Sequence, residues 1–258
     1  MLRFGDYTPR DSLLHGLDAR VKIAASAILS VVALTGGWSG LAALTIAGAL
    51  SLRGAGLSFK EVLGAMKPLL FFAFLLFAMH AFFHEGRPLI DVTGAGVLAG
   101  LYTAWQYLAL VAVGIFLTAT TPPSELVAGL GRLLRPLERW GVPVGDISFM
   151  VAVSLRFIPL LLGEYERLRA ARAARGADWE GGVAKRLGLA VGLVIPLLIG
   201  AFRRADDLAV AVEARGYGHR APSSLRGGEM GSPDRRFLAA VASLALVVIV
   251  LHHALPLP

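Results

Sequence analysis

Apolar runs alternate along this chain with short arginine-bearing bands, and the alternation predicts helices throughout. Residues 21–34 and 38–52 are two apolar segments divided by Gly36-Gly37. Each is shorter than the ~20 residues of a straight membrane span. Lys22 and Arg53 are therefore expected to snorkel at the ends of a helical hairpin. Residues 62–83 form a phenylalanine-rich span with Lys67-Pro68 near its start, where proline is tolerated. Residues 96–119 form the fourth span, opening on Gly96 and Gly100, a small-residue face that lets two helix backbones approach. The pattern then changes. In 124–140, Leu126, Leu130, Leu133 and Leu137 recur at helical spacing opposite Arg132, Arg135 and Arg139, with Ser124 as the expected N-cap. Residues 217–236, rich in Gly, Ser and Pro, read as a linker, and 237–255 as a last span.

Between the amphipathic segment and the linker, 147–216 holds one pattern written twice. Ile158-Pro159-Leu160-Leu161-Leu162-Gly163 leads through a charged run to Ala174-Arg175-Gly176. Ile195-Pro196-Leu197-Leu198-Ile199-Gly200 leads through a second charged run to Ala214-Arg215-Gly216. Alanine continues the helix without bulk, arginine projects a rigid fork of donors, and glycine permits the left-handed residue that ends a helix. An arginine between two such small residues can enter a groove on another protein. Within the charged runs, Glu164 with Arg167, Glu166 with Arg169, Arg203 with Asp206 and Arg204 with Asp207 sit at i, i+3. An exposed, salt-bridged helix face accounts for those pairs. It does not account for both helices finishing on the same triplet, so Arg175 and Arg215 are read as partner-contacting residues.

Composition narrows the class. Of 258 residues 56% are hydrophobic, so with these runs the chain is expected to be an integral membrane protein. The net charge of +7 comes from arginines beside membrane segments, which speaks for topology and against a nucleic-acid surface. There is no cysteine, which excludes disulfide and thiolate chemistry. No cleavable signal peptide is expected at the N-terminus. The N-terminus, the 53–60 loop, both Ala-Arg-Gly sites and the 226–236 arginines all look cytoplasmic by the positive-inside rule. Charge parity then gives an all-α membrane protein with about five transmembrane helices plus three amphipathic helices along the cytoplasmic face, and a C-terminus outside. The expected regions are 1–121, a four-helix transmembrane part; 122–218, bearing both triplets; 219–236, a linker; and 237–258, the last span.

Catalytic patterns are thin. A phosphate-cradling loop followed by Lys-Ser/Thr is absent, so the chain is not expected to hydrolyse ATP. His80 and His84 have the i, i+4 spacing that metals use, with Glu85 beside them, but the order is not that of a zinc protease helix; His252-His253 is a tail pair, and no metal site is expected at either. Serine and aspartate within the spans are too few for an intramembrane nucleophile or proton relay.

These residues resemble a known family, the transmembrane T component (EcfT, CbiQ-like) of energy-coupling factor transporters, which take up vitamins and transition-metal ions in prokaryotes. The likeness is carried by Leu17-Asp18-Ala19-Arg20-Val21-Lys22, Ser154-Leu155-Arg156-Phe157-Ile158-Pro159, Ala174-Arg175-Gly176 followed by Ala177-Asp178, the run from Ala201 to Leu208, and Glu213-Ala214-Arg215-Gly216-Tyr217. The resemblance implies a non-catalytic scaffold in the prokaryotic cell membrane that crosses two of its helices as coupling helices. It implies that Ala174, Arg175, Gly176, Ala214, Arg215 and Gly216 engage two ATP-binding-cassette subunits, which would hold the ATP and magnesium. It also implies that Phe157, Leu160, Leu161, Leu193 and Leu197 contact a separate substrate-binding membrane subunit, the S component. The alternative is a self-sufficient permease with its own substrate site, which needs polar residues converging at mid-membrane.

Overall fold

A computed structural model describes residues 14–55, 59–83, 94–177, 182–216 and 230–254. The helices are α1 Ala19–Thr35, α2 Gly37–Ala55, α3 Phe59–Phe82, α4 Gly94–Thr120, α5 Pro123–Leu134, α6 Val144–Ala174, α7 Val183–Ala214 and α8 Ser232–Ala254, with a 3-10 helix at Arg135–Trp140. They fall into two compact units, 1–133 with 228–258, and 134–227.

In the first unit α1 and α2 form the expected hairpin. Gly37 turns it with φ of 57°, a left-handed conformation that glycine adopts without strain. Val32, Ala33 and Leu44 of the hairpin pack against Ala245 and Val248 of α8. Helix ends leave carbonyls without intrahelical partners, and here the body of another helix supplies one: Gln106 Nε2, in mid-α4, donates to Ala33 O at 2.9 Å. The face at Gly96 and Gly100 is used for packing. A Cβ on Gly100 would lie 2.7 Å from Phe77 O, so the α3 and α4 backbones touch there.

Lys22 does not snorkel. Its side chain turns inward, 6% exposed, and Nζ donates to Thr120 O at 3.0 Å and His15 O at 3.1 Å. Thr120 ends α4, where orphan carbonyls and the helix dipole together favour a cation over a long reach to the interface. Beside it Asp18 caps α1 through Arg20 N–H at 2.9 Å, accepts from Arg132 Nη1 at 3.5 Å, and donates its own N–H to Asp234 Oδ1 at 3.0 Å. These contacts tie α1, α5 and the start of α8 together. Arg53 lies outside the residues whose side chains are described.

Three boundaries differ from the sequence reading. Helix α5 starts at Pro123, so Ser124 is already inside the first turn; Pro122 O accepts from Glu125 and Leu126 N–H, and the missing N–H of proline is harmless at such a start. The amphipathic segment is one α-helix only to Leu134. Pro136 interrupts the ladder and the remainder winds as 3-10 helix to Gly141, which stops it with φ of 82°. Helix α8 begins at Ser232, inside the expected linker, because Ser232-Pro233-Asp234 builds a good first turn and Asp234 Oδ2 accepts from Gly231 N–H at 2.9 Å.

Among the described residues four stretches are long and apolar enough to cross a membrane: Gly94–Thr120, Val144–Ala174, Leu187–Ala214 and Ser232–His252. Gly37–Ala49 and Met66–Phe82 are shorter apolar helices. The protein is thus an all-α membrane protein. Length and composition extend the criterion for a span to α6 and α7, which charge parity assigns to the cytoplasmic face.

Candidate functional site

The two copies of the repeated pattern fold into α6 and α7, each a single helix with an internal proline, Pro159 or Pro196. Both end alike. Helix α6 stops at Ala174, Arg175 is the C-cap, and Gly176 takes φ of 86°. Helix α7 stops at Ala214, Arg215 is the C-cap, and Gly216 takes φ of 77°. At α6, Gly176 N–H donates to Ala173 O and Ala177 N–H to Arg172 O, each at 3.0 Å, which is the complete Schellman closure. At α7, Gly216 N–H donates to Glu213 O at 2.8 Å. Left-handed glycine is what these caps need: any side chain there is strained, although open space surrounds both positions.

All six residues of the two triplets are exposed. Each arginine therefore stands exposed at the end of a long helix, a position that suits a rigid fork of donors.

Charge pairing inside the unit differs in part from the i, i+3 expectation. Arg167 does pair with Glu164, at 3.7 Å. Arg204, expected to pair with Asp207, instead reaches across to Glu164 of α6 at 2.8 Å. The side chains are 30% and 26% exposed, and a carboxylate partly removed from water attracts the guanidinium more than one on the solvent face does. Arg172 crosses in the opposite sense, donating to Leu189 O at 3.3 Å and Gly192 O at 2.7 Å. Neither interhelical contact is legible in sequence spacing, since each joins residues from different copies of the pattern. Pro196, four residues after Gly192, was the available signal.

The apolar faces of both helices remain largely uncovered. Leu160 is exposed, as are Ile158, Leu162, Ile195, Leu198 and Ile199; Phe157, Leu161 and Leu197 are half-buried. Leu193 is fully buried at 0% exposure and offers no surface to another chain. It sits on the side of α7 that carries the turn gripped by Arg172, so interior packing takes it, while the residues around it stay outside.

In the first unit a cavity of about 330 Å³ lies among α1, α2, α3 and α4, lined mainly by Ala, Leu, Val and Phe side chains such as Leu29, Leu44, Val113 and Phe116, with Lys22 among them. His80 Nδ1 is 3.0 Å from Leu76 O, within its own helix; His84 and Glu85 lie outside the described residues. Among the described residues no three His, Asp or Glu gather as a metal cluster.

Comparison with known proteins extends these observations. A family model described as CbiQ, cobalt transport protein, matches residues 10–224. The chain is 34% identical to the energy-coupling factor transporter transmembrane protein EcfT of Thermosediminibacter oceani, over 96% of this chain and 93% of the relative. It is 36% identical to the protein of that name from Bacillus subtilis, over 83% of each, and 33% identical to that of Heliobacterium modesticaldum, over 98% of each. The matched regions cover most of the chain, and the chain belongs to the CbiQ/EcfT family, the transmembrane components of energy-coupling factor transporters.

Proposed function

We propose that this chain is the mechanical scaffold between two ATP-binding-cassette subunits and a separate substrate-binding membrane subunit, in an importer of a vitamin or a transition-metal ion. The observation that carries the reading is the pair of exposed arginines, Arg175 and Arg215, each set by a left-handed glycine at the end of a long helix. Arg175 and Arg215, flanked by Ala174, Gly176, Ala214 and Gly216, enter grooves on the two ATPases. Phe157, Leu160, Leu161 and Leu197, with the exposed Ile195 and Ile199, receive the substrate-binding subunit; Leu193 is left out of that surface because it is buried. ATP and magnesium reside on the ATPases, and this chain holds no cofactor and does no chemistry. When ATP draws the ATPases together, the tips move with them and shear the apolar surface on which the substrate subunit rests.

The reading places the chain in the prokaryotic cell membrane, N-terminus inside and C-terminus outside. Packing within the second unit supports a cytoplasmic position for α6 and α7 despite their apolar stretches. Arg172 lies against Leu189 and Gly192, and Glu164 against Arg204, so the charged half of α6 runs beside the apolar half of α7. Sinking the latter into hydrocarbon would carry Glu164, Arg167, Arg169 and Arg172 with it, at roughly 2.5–3.5 kcal/mol for each charge that reaches the centre. A surface position avoids that cost. The mainly apolar lining of the cavity in the first unit suits packing better than a conduit for polar cargo, which favours the scaffold over a self-sufficient permease.

The test is co-purification from membranes with tagged chain. Truncating an arginine that is buried in a partner's groove costs ~2–5 kcal/mol, so Arg175→Ala with Arg215→Ala is expected to lose both ATPases and cargo uptake together. Full retention of the ATPases and of uptake by the double variant overturns the proposal.

A further inference from the structure

Helix α7 contains a carbonyl that its own ladder cannot satisfy. In an α-helix the carbonyl of residue i accepts from the N–H of residue i+4, and for Gly192 that residue is Pro196, which has no N–H. The pyrrolidine ring also crowds the same carbonyl and pushes it off the helix axis. Arg172 Nη2 donates to this oxygen at 2.7 Å. Nη1 reaches Leu189 O at the longer distance of 3.3 Å, as expected for a carbonyl whose i+4 residue, Leu193, still has an N–H to give. Glycine at 192 is what admits the guanidinium: a Cβ there would stand 2.5 Å from Nη1 and 3.2 Å from Nη2.

The backbone of Arg172 is committed as well. Its carbonyl accepts from Arg175 N–H and from Ala177 N–H, both at 3.0 Å, and so closes the turn that carries Arg175. One residue thus has its main chain in the tip of α6 and its side chain in the proline break of α7. We propose that Arg172 is a positioning residue, a clasp that fills the break at Gly192 and Pro196 and fixes the angle between α6 and α7, so that the two arginine tips move as one body. Its consequence for coupling rests on the docking role of Arg175 and Arg215 given above. The geometry of the clasp does not.

Because the chain has no cysteine, a single pair of spin labels can report that angle. Labels at the exposed Ala170 of α6 and Ala209 of α7, in full-length protein in lipid nanodiscs, give one distance distribution by pulsed EPR. Arg172→Met and Gly192→Ala are each expected to broaden it, shifting the ratio of clasped to open forms by roughly tenfold or more, the worth of a charge-assisted bond to a carbonyl with no other donor. The double variant matches either single one, since both remove the same contact, and Arg172→Lys, which keeps a charged donor group, retains most of the narrow peak. Pro196→Ala returns an N–H to the Gly192 carbonyl, and in that background Arg172→Met has little effect. An unchanged distribution in Arg172→Met overturns the clasp, as does an effect of that substitution that survives in full beside Pro196→Ala. Capture of ATPases by the Arg172→Met chain reads the tips separately, so failure of the clasp and failure of the docking role are distinguishable.

Discussion

Replacing Lys22 by methionine removes one ammonium and keeps the apolar stem. In the native fold Nζ bonds the carbonyls of Thr120 and His15, and Thr120 itself is 2% exposed, so little water can take over its carbonyl. Hydrogen bonds to a charged donor contribute ~1.5–3 kcal/mol each, and an acceptor left buried and unpaired forfeits the upper part of that range. Asp18 and Asp234 also lose a nearby cation, but Asp18 keeps Arg20 and Arg132, each at 3.5 Å, so this adds only ~0–1 kcal/mol. Taking these as overlapping rather than additive, the loss is about 3–5 kcal/mol, and for a chain of this size about 2–4 °C of melting temperature accompanies each. The expected drop is therefore about 10 °C. Tryptophan-fluorescence melting of purified protein in mild detergent measures it, with Lys22→Arg as a control whose bulkier head fits the site only in part. A melting temperature within about 2 °C of the parent refutes the reasoning. Lys22 would then be a solvated interface residue whose inward position does nothing for the fold.

Other consequences are smaller and separable. Gly100→Ala places a methyl 2.7 Å from Phe77 O and forces α3 from α4, with an expected cost of ~1–3 kcal/mol seen as a lower melting temperature; no loss would mean the helices do not touch there. Gly176→Ala strains a residue at φ of 86° with nothing near its side chain, so it should loosen the Arg175 tip by about 1 kcal/mol and weaken ATPase capture, whereas Gly163→Ala, in a helix interior with open space around it, should leave capture unchanged. A double-mutant cycle on Glu164 and Arg204 should return a coupling of only ~0.5–1 kcal/mol, because water still reaches both side chains; a value several times larger would mean the pair is covered in the membrane. Asp234→Ala removes the acceptor of Asp18 N–H and of Gly231 N–H and should cost ~1–2 kcal/mol, measured by the same melting assay.

The candidate site was legible because it is written in local rules. Ala-Arg-Gly after a charged helical run specifies a helix end wherever it occurs, and both copies adopt it with left-handed glycines. The same locality misled where a residue had a choice of partners. Arg204 could meet Asp207 along its own helix, and Lys22 could extend to an interface; each took a distant acceptor that only the packed chain brings near. Leu193 was indistinguishable in sequence from the exposed apolar residues around it, since position on a helix face says nothing about whether another helix covers that face.

Hydrophobic runs, their lengths and the placing of arginines were enough to determine an all-helical membrane chain and two arginine-tipped helices, because spans and caps depend on residues within a few turns of each other. Tertiary structure alone decided which buried carbonyls receive a charge. Lys22 went to the end of α4 and Arg172 to the proline break of α7, and both choices depend on acceptors orphaned by helix ends or by proline, which lie far off in the chain until packing delivers them.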